Sequence, residues 1–386
     1  MKFLIFSNEF PPMRTGVSSY NEIIANGLVQ RGHEVTVLTF RPQRALPQQT
    51  LAQEVRIPLG NQKWLEVARI AMGISAYRRL APRFDANLLS SDLAQKIAGD
   101  FRLGSVARSV CVVHGSEVTK RFPARSWATR VGWRLRLGTL RHAGRLVSNS
   151  QYTRNLVISA GLDQCEIDVV YAGVPDASFD AEPDPKAIRE LKQRLTIGED
   201  ELVLLTLARV VERKGHDRVL AAFERVLREY RAVRYVIAGT GDDLERIRTL
   251  AEKMQLGDRV IFTGEIGEEE KQTYYDMCDI FVMPSLHDGR RVEGLGLSFI
   301  EAGARRKPSI GGDHGGVPEV IDHEKTGYLV DPDDIETLAK RITTLAADAG
   351  LRRQFGEGAY RQTNGRFRET IMVGGIERLL IEVGSR

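Results

Sequence analysis

Short apolar runs alternate with amphipathic helical stretches through most of this chain, and this alternation restricts the possible folds more than any other feature. We predict strands at residues 2–7, 34–40, 110–113, 146–148, 167–170, 202–208, 234–238, 260–262 and 280–283. We predict helices at residues 17–31, 217–230, 243–254 and 268–277. Strands that are joined through helices run parallel, so the pattern predicts doubly wound α/β sheets. Residues 46–103 carry no motif that this pattern identifies.

The chain is long enough for two such sheets. Its 386 residues exceed what a single hydrophobic core usually organises. A polar, proline-rich segment, Asp180-Ala-Glu-Pro-Asp-Pro185, lies between the two series of strands and is typical of a linker. We therefore predict a first domain over residues 1–180 and a second over residues 181–366, with a last helix at 367–386 that packs back on the first domain.

The cysteines and the apolar segments indicate a cytoplasmic protein. Cys111, Cys165 and Cys278 are far apart and odd in number, which argues against a disulfide framework or a zinc knuckle and for a reducing compartment. The opening apolar run is too short for a signal peptide. No segment approaches the ~20 apolar residues that a membrane-spanning helix needs.

Positive charge is concentrated in one part of the chain. Residues 1–180 hold 23 Lys and Arg against 14 Asp and Glu, and between Val118 and Arg145 there are eight basic residues and no acidic one. At helical spacing, four arginines fall within roughly 60° of one another; they are Arg130, Arg134, Arg141 and Arg145. This arginine stripe suits an anionic membrane surface, and the alternative is a solvated helix face whose arginines pair with acids elsewhere.

Two glutamates flank the glycine-rich start of an apolar helix in Glu293-Gly-Leu-Gly-Leu-Ser-Phe-Ile-Glu301. Gly294 and Gly296 disfavour one continuous helix. We therefore predict a loop that carries Glu293 and a helix that begins at about Leu297 and carries Glu301 in its second turn. The free N–H groups of a helix start bind anions. A nucleotide sugar, with hydroxyls at both ends and a diphosphate between them, fits this arrangement.

Ligands of open parallel sheets bind beyond the carboxyl ends of the strands, so loops that follow predicted strands supply further candidates. Arg209 and Lys214 follow the strand at 202–208, are expected to be exposed, and can hold two phosphates; surface charge is the alternative. Gly241, in Gly239-Thr-Gly241, lets a backbone approach a ligand, although Gly-x-Gly alone is a weak signal. Gly16 fits a ligand contact or a simple helix-start turn, and His114 fits a ligand contact or a buried structural histidine.

The chain resembles the retaining glycosyltransferases of family 4, whose GT-B architecture has two Rossmann-like domains facing each other across a cleft. The matching segments occur in the family's order: Asn8-Glu-Phe-Pro-Pro12 with Gly16, His114-Gly-Ser-Glu117, Ala208-Arg-Val-Val-Glu-Arg-Lys-Gly215, Ala238-Gly-Thr-Gly241, Phe262-Thr-Gly264, Met283-Pro-Ser285, Glu293 through Ala302, and Gly315-Gly-Val-Pro-Glu-Val320. The ordered set is highly specific and covers almost the whole chain. The stretch from Val292 to Gly296 is similar to that of phosphatidylinositol mannosyltransferases and bacterial surface-polysaccharide transferases.

The resemblance implies roles for the matching residues. Glu293 is expected to contact the donor sugar near the reacting centre, and Glu301 the ribose hydroxyls. Arg209 and Lys214 are expected to hold the diphosphate and to stabilise the charge that grows on the leaving nucleotide. The remaining expected contacts are Gly16 with the distal phosphate, His114 with the sugar from the acceptor side, Ile266 with the base, and Gly241, Gly296 and Leu297 with the nucleotide sugar.

The resemblance also implies a reaction. It predicts transfer of a hexose, with retention, from a nucleoside diphosphate sugar to a lipid-linked or polysaccharide acceptor in cell-surface glycan synthesis, at the inner face of the membrane. Similarity around Val292 favours GDP-mannose over UDP-glucose. No metal or other cofactor and no nucleic acid are expected. Cations and helix-end dipoles can take the place of a metal, and we identify no strand-end Asp-x-Asp and no His cluster with ligand spacing.

Two positions depart from the family pattern. The first loop has Thr15-Gly16 where Gly-Gly is common, and the helix after Glu301 ends at Arg306 where glycine is usual. If Arg306 adopts the left-handed backbone of a helix end, this costs on the order of 1 kcal/mol. Neither departure touches the expected chemistry.

Three other functions are compatible with parts of the pattern. A nucleotide-sugar epimerase can share the GT-B fold, since a fold does not determine a function. A non-catalytic sugar-nucleotide sensor would not need Glu293, Lys214 and His114 together. A dinucleotide oxidoreductase fits least, because the first strand–helix loop lacks Gly-x-Gly-x-x-Gly.

Overall fold

The protein forms two compact α/β units. The computed structural model describes residues 1–13, 15–40, 50–58, 66–99, 106–115, 118, 127–287 and 292–386, without the side chains of residues 66, 67 and 127–130. One unit is Met1–Gly173 with Glu369–Arg386, and the other is Val174–Arg368. Within these described ranges, no helix combines the length and the apolar character needed to cross a bilayer.

The first unit is built on a parallel sheet with the order β3-β2-β1-β4-β5-β6-β7. Its strands are β1 Lys2–Phe6, β2 Glu34–Phe40, β3 Gln53–Ile57, β4 Ala86–Leu89, β5 Ser109–Val113, β6 Arg145–Ser148 and β7 Ile167–Val169. Its described helices are α1 Gly16–Gln30, α2 Glu66–Leu80, α3 Asp92–Ala98, α4 Trp127–His142, α5 Gln151–Val157 and α14 Glu369–Gly384. The strand order reverses between β1 and β4, so this is the switch point at which open sheets of this kind bind ligands.

The second unit repeats the design with the order β10-β9-β8-β11-β12-β13. Its strands are β8 Leu202–Leu207, β9 Val233–Ala238, β10 Val260–Gly264, β11 Ile280–Met283, β12 Ser309–Gly312 and β13 Gly327–Val330. Its helices are α6 Ala177–Asp180, α7 Pro185–Arg194, α8 His216–Glu229, α9 Leu244–Lys253, α10 Glu268–Met277, α11 Leu297–Ala304, α12 Ile335–Ala347 and α13 Ala349–Arg366. Its switch point lies between β8 and β11.

The predicted alternation is confirmed, because each predicted strand corresponds to an observed one. Four strands were missed: β3, β4, β12 and β13. The strand β3 is a half-buried edge strand with a polar sequence, Gln-Glu-Val-Arg-Ile. The other three are four residues long, and β12 ends in two glycines, so none carries a strong apolar signal.

The two units divide between Gly173 and Val174, seven residues before the boundary predicted from the sequence. The proline-rich segment therefore lies inside the second unit, where its polar groups are bound. Arg368 Nη2 lies 2.6 Å from Asp180 Oδ1. Arg305 Nη1 donates to the carbonyl oxygens of Ser178 and Ala181, at 3.0 and 2.6 Å.

The second unit starts and ends at one place. The amide of Val174 donates to the carbonyl oxygen of Phe367 at 2.9 Å, and Val174 forms a parallel bridge with Arg368. The chain then returns to the first unit as α14. Glu377 of this helix accepts from Arg31 at 2.9 Å, and Val373 packs so closely on α1 that a Cβ at Gly27 would come within 2.6 Å of it.

Candidate active site

The predicted ligand residues of the second unit lie at the carboxyl ends of its strands. Arg209 and Lys214 follow β8, Gly241 follows β9, and Ile266 follows β10. Glu293 lies in the loop between β11 and α11. The loops after β8 and β11 leave from the switch point, where two neighbouring connections diverge and expose the ends of the strands.

Glu293 is the centre of an ion cluster at the switch point. Its Oε2 lies 2.7 Å from Lys214 Nζ and 2.9 Å from Arg213 Nη1. Burial alone would raise the pKa of this carboxyl, but the two cations outweigh burial and hold the pKa at about 2. Burial lowers the pKa of Lys214, and Glu293 opposes that shift. Glu293 is therefore a carboxylate at neutral pH.

Lys214 differs from its prediction. It was expected to be exposed, but its side chain is only 11% exposed because it lies between Glu293 and Met283. Arg209 is exposed, as predicted. Arg209 is thus free to meet an incoming anion directly, while Lys214 is already paired with Glu293, the carboxylate for which the family resemblance implies a contact with the donor sugar.

A glycine pair holds the backbone of Glu293 in place. The amide of Gly316 donates to the carbonyl oxygen of Glu293 at 2.9 Å. Gly315 has a φ of 66°, and a Cβ there would lie 2.4 Å from the same oxygen. A Cβ at Gly316 would lie 2.0 Å from the carbonyl oxygen of Gly294. Only glycine fits at either position, which explains the Gly-Gly in this segment.

Gly239 and Gly241 pack against the chain's own backbone. A Cβ at Gly239 would lie 2.0 Å from the carbonyl oxygen of Ala208, and a Cβ at Gly241 would lie 2.1 Å from that of Val210. The amide of Val210 also donates to Thr240 at 2.9 Å. The two glycines therefore fix the loop that presents Arg209, and the described contacts of Gly241 are with this loop.

The start of α11 has the form predicted for an anion site. Gly296 has a left-handed backbone, with φ 92° and ψ 65°, and Leu297 is the first helical residue. The first amides of a helix have no partner within it. Glu301 lies in the second turn, as predicted, with Lys271 Nζ at 2.8 Å from one carboxylate oxygen and the Tyr275 hydroxyl at 2.6 Å from the other.

In the first unit, Gly16 and His114 are connected through Tyr20. Gly16 is the first residue of α1, and Tyr20 follows one turn later. The Tyr20 ring meets the His114 ring edge to face, with centroids 5.0 Å apart. The Ser90 hydroxyl is 3.5 Å from His114 Nε2. Burial lowers the pKa of His114 to about 4, so its ring is neutral at neutral pH.

The first loop explains one departure from the family pattern. Thr15 caps α1, because its hydroxyl oxygen accepts from the amide of Ser18 at 3.1 Å. The same hydroxyl donates to Glu9 Oε2 at 2.7 Å. Threonine is a favourable capping residue, so replacing the first glycine of the pair adds a cap without altering Gly16.

The prediction of the arginine stripe is wrong for one residue, Arg145. The helix α4 ends at His142, and Arg145 is the first residue of β6, where it forms ion pairs with Glu166 and Glu382. Gly144 interrupts the helical spacing on which the predicted stripe depends. Arg134 and Arg141 are exposed on α4. The side chain of Arg130 lies outside the described residues, as do Lys120, Arg121, Arg125 and the Ser116-Glu117 pair of the His114 motif.

One Asp-x-Asp pattern was missed, because β13 was not predicted. Asp331-Pro-Asp333 follows this strand directly. Asp331 accepts from the amide of Asp333 at 3.0 Å, and Asp333 Oδ1 lies 2.9 Å from Arg218 Nη2. Both carboxylates thus belong to the turn before α12. Within the part of the chain that the structure describes, no three His, Cys, Asp or Glu side chains are grouped to hold a metal ion.

Sequence reasoning also missed Arg213, Lys271 and Tyr275, which contact the two predicted glutamates. Arg213 is adjacent to Lys214, so the prediction for Lys214 could have indicated Arg213 as a second cation of the site. Lys271 and Tyr275 are four residues apart on the helix before β11, a spacing that places two side chains on one helix face. Nothing in the sequence indicates which carboxylate that face meets.

Two doubly wound parallel sheets, each with candidate ligand residues at its switch point, define the class of GT-B enzymes. Residues 187–362 match the family model described as glycosyl transferases group 1, and residues 14–178 match that of glycosyltransferase family 4. The chain therefore belongs to the glycosyltransferases of family 4 and group 1, and it is a glycosyltransferase with the GT-B fold, as predicted.

Relatives along the whole chain agree with this assignment. The chain is 31% identical over 359 residues to the GDP-mannose-dependent alpha-(1-6)-phosphatidylinositol monomannoside mannosyltransferase of Mycobacterium tuberculosis, covering 90% of this chain and 89% of that protein. It is 30% identical over 355 residues to the protein of the same description in Mycolicibacterium smegmatis, covering 89% of each. The structure of Anabaena HepE in complex with UDP and glucose has the same fold, with a TM-score of 0.80 at 19% identity, over 99% of this chain and 100% of that one.

Proposed function

We propose that this glycosyltransferase moves a mannose from GDP-mannose to a hydroxyl of a lipid-linked acceptor, with retention of configuration and without a divalent cation. The observation that carries the proposal is the cluster of Glu293 with Lys214 and Arg213 beside the exposed Arg209. Relatives that match along almost the whole chain are GDP-mannose-dependent mannosyltransferases. Retention is supported by the resemblance to retaining enzymes.

The cluster suits the charge changes of this reaction. When the bond between sugar and diphosphate breaks, negative charge grows on the leaving nucleotide. Arg209 is free to bind a phosphate oxygen. Lys214, whose charge interacts with that of Arg209, is held in place by Glu293 and Met283. Fixed cations need no reorganisation at the moment of reaction, which makes them effective at stabilising such charge.

Glu293 serves as a hydrogen-bond acceptor for the donor sugar in this proposal. With a pKa held at about 2, it stays ionised and accepts from sugar hydroxyls. His114, in the other unit, is neutral and offers one donor and one acceptor nitrogen. Neutrality suits a contact with sugar hydroxyls rather than with phosphate.

A lipid acceptor is supported by the relatives, which are described as phosphatidylinositol monomannoside mannosyltransferases, and by one face of α4. Val131, Arg134 and Arg141 are exposed there, and their spacing places them on the same side of the helix. An apolar residue beside two arginines on an exposed face is suited to the headgroup region of an anionic membrane. We propose that this face binds the inner leaflet while the acceptor is glycosylated.

The test is a donor and acceptor assay with the full chain. Release of nucleoside diphosphate is measured with GDP-mannose or UDP-glucose, with and without a phosphatidylinositol mannoside acceptor, and the anomeric configuration of the product is determined by NMR. We expect acceptor-dependent release of GDP and an α-linked product. Release of UDP instead would replace the donor, and a new nucleotide sugar without any acceptor would indicate an epimerase.

A further inference from the structure

The second glutamate of the site is held by two side chains to which none of the roles above is given. Glu301 Oε1 lies 2.8 Å from Lys271 Nζ, and Glu301 Oε2 accepts a hydrogen bond of 2.6 Å from the Tyr275 hydroxyl. Lys271 and Tyr275 are one turn apart on α10, so they lie on the same face of that helix. One helix face therefore fixes both oxygens of one carboxylate.

Both partners carry a proton at neutral pH. Burial would lower the pKa of Lys271, but the carboxylates of Glu301 and Glu268 outweigh burial and raise it. Burial and the charge of Glu301 raise the pKa of the Tyr275 phenol well above its usual value. Each group therefore donates to Glu301, and the carboxylate cannot rotate without losing the hydrogen bond from the buried Tyr275 or the half-buried Lys271.

The carboxylate still has room for a ligand. An ionised carboxylate offers about four lone-pair positions, and Lys271 and Tyr275 occupy one on each oxygen. Among the residues that the structure describes, one position on each oxygen remains, and the side chain of Glu301 is 18% exposed. Two hydroxyls on neighbouring carbons match two acceptors on neighbouring oxygens. Ribose has such a pair at C2′ and C3′, and 2′-deoxyribose does not.

We propose that Lys271 and Tyr275 are positioning residues of the nucleoside subsite, which orient Glu301 for a two-point contact with the vicinal ribose hydroxyls and so make the enzyme select ribonucleotides over 2′-deoxyribonucleotides. The inference rests on the proposed function and on the contact with the ribose hydroxyls that the family resemblance implies for Glu301.

The same element connects this contact to the base. The loop that carries Ile266 runs through Gly267 directly into α10 at Glu268. A ligand base that contacts this loop therefore contacts the element that also orients Glu301. Base recognition and ribose recognition are set by one helix and the loop before it.

The experiment compares binding of GDP and 2′-deoxy-GDP by calorimetry. The wild-type protein is expected to bind GDP about 10- to 100-fold more tightly, the range of one hydrogen bond to a charged group. Tyr275→Phe and Lys271→Gln are expected to weaken GDP binding so that the ratio of the two affinities falls toward one, and to weaken binding of 2′-deoxy-GDP less, because that nucleotide has only the 3′-hydroxyl contact with Glu301 to lose. Retained binding of 2′-deoxy-GDP also shows that the variants remain folded.

Tyr274→Phe is the matched control. Tyr274 is the neighbouring residue on α10, is equally buried, and its hydroxyl interacts with Arg194. Removal of this hydroxyl is expected to leave the preference for GDP intact. Loss of the preference in this control as well would assign the effect to the helix as a whole and overturn the inference.

Other outcomes separate the inference from the function on which it rests. If Glu301→Gln loses the preference for GDP while Tyr275→Phe and Lys271→Gln keep it, the positioning role is wrong and the proposed function stands. If the wild type binds both nucleotides equally, the ribose contact of Glu301 is wrong and the inference fails with it. If the wild type binds neither GDP nor UDP, the proposed function itself is overturned.

Discussion

Arg213 and Lys214 approach Glu293 from one loop, and backbone contacts of this loop hold the site in place. The carbonyl oxygen of Arg213 accepts from the amide of Leu286 at 2.7 Å, so the loop after β8 is bound to the loop after β11. Gly215 follows with a φ of 74°, and a Cβ there would lie 2.3 Å from the carbonyl oxygen of Pro284. The ion cluster is thus supported by contacts that do not depend on its charges.

The two predicted phosphate ligands are expected to respond differently to alanine. Arg209→Ala removes an exposed cation, so turnover is expected to fall about 10²–10³-fold with unchanged stability. Lys214→Ala removes a buried partner of Glu293, so it is expected to lower both turnover and the free energy of unfolding. Steady-state kinetics and denaturant unfolding of both variants test this. Near-normal turnover in Arg209→Ala, with the fold intact, would contradict its assignment to the diphosphate.

The ionisation of Glu293 makes a pH-dependent contribution to stability. Its folded pKa of about 2 is below the unfolded value, so the contribution is present above the unfolded pKa and is lost as the pH falls toward 2. The unfolding free energies of wild type and Glu293→Gln are therefore expected to differ most near neutral pH and to converge below about pH 4. Urea unfolding at several pH values measures the difference. A difference that stays constant to pH 3 would show that Glu293 is not held ionised by its two cations.

At the scale of elements, the structure confirms that Arg306, just beyond the end of α11, has a left-handed backbone. Its φ is 57°, at the position where the family usually has glycine. Two contacts offset the cost: Arg306 lies 2.9 Å from Glu357 and stacks on the Tyr360 ring at 3.7 Å. Both partners are on α13, which approaches so closely that a Cβ at Gly356 would lie 2.1 Å from the carbonyl oxygen of Arg306.

Two glycines of α13 are expected to respond to alanine in opposite directions. Gly356→Ala places a methyl group against the backbone of Arg306 and is expected to destabilise the protein by about 1–3 kcal/mol. Gly365→Ala meets no atom within 4 Å and is expected to stabilise it by up to about 1 kcal/mol through helix propensity. Thermal or denaturant unfolding of both variants measures this. Similar shifts in the two would mean that the contact of α13 with α11 is looser than described.

The exposed face of α4 is expected to bind anionic lipid. Arg134→Gln with Arg141→Gln is expected to weaken co-sedimentation with vesicles that contain phosphatidylinositol, since each arginine near such a surface contributes about 1 kcal/mol. Arg79→Gln with Arg83→Gln is the control, because both residues are exposed in the same unit and the charge change is equal. Equal binding by the two double variants would return α4 to the interpretation of a solvated helix face.

At the scale of the whole molecule, the sequence predicted what depends on local pattern and motif order. It predicted the two parallel-sheet units, the loop at Glu293 and the helix start at Leu297. It did not predict that Lys214 pairs with Glu293, because the two are 79 residues apart and only the sheet brings them together. It extended the arginine stripe to Arg145, because helical periodicity alone does not locate the end of a helix.

The enzyme is expected to work without a divalent cation. The two fixed cations near Glu293 and the start of α11 can balance the charge of the leaving diphosphate. Activity after exhaustive EDTA treatment is expected to equal that of the untreated protein. A large loss that Mg²⁺ or Mn²⁺ restores would show that the diphosphate is held by a metal ion.

The meeting of Val174 and Arg368 has a consequence for how the chain is synthesised. A ribosome finishes the whole second unit before it delivers α14, so the face of α1 at Gly27 stays uncovered while the second unit forms. Closing so long a loop would ordinarily cost entropy. Once the second unit has folded, however, its two ends lie side by side. The entropy cost of bringing α14 to α1 is then that of closing a short loop rather than a long one. The order of translation thus makes the first unit, although it begins the chain, the last to be completed.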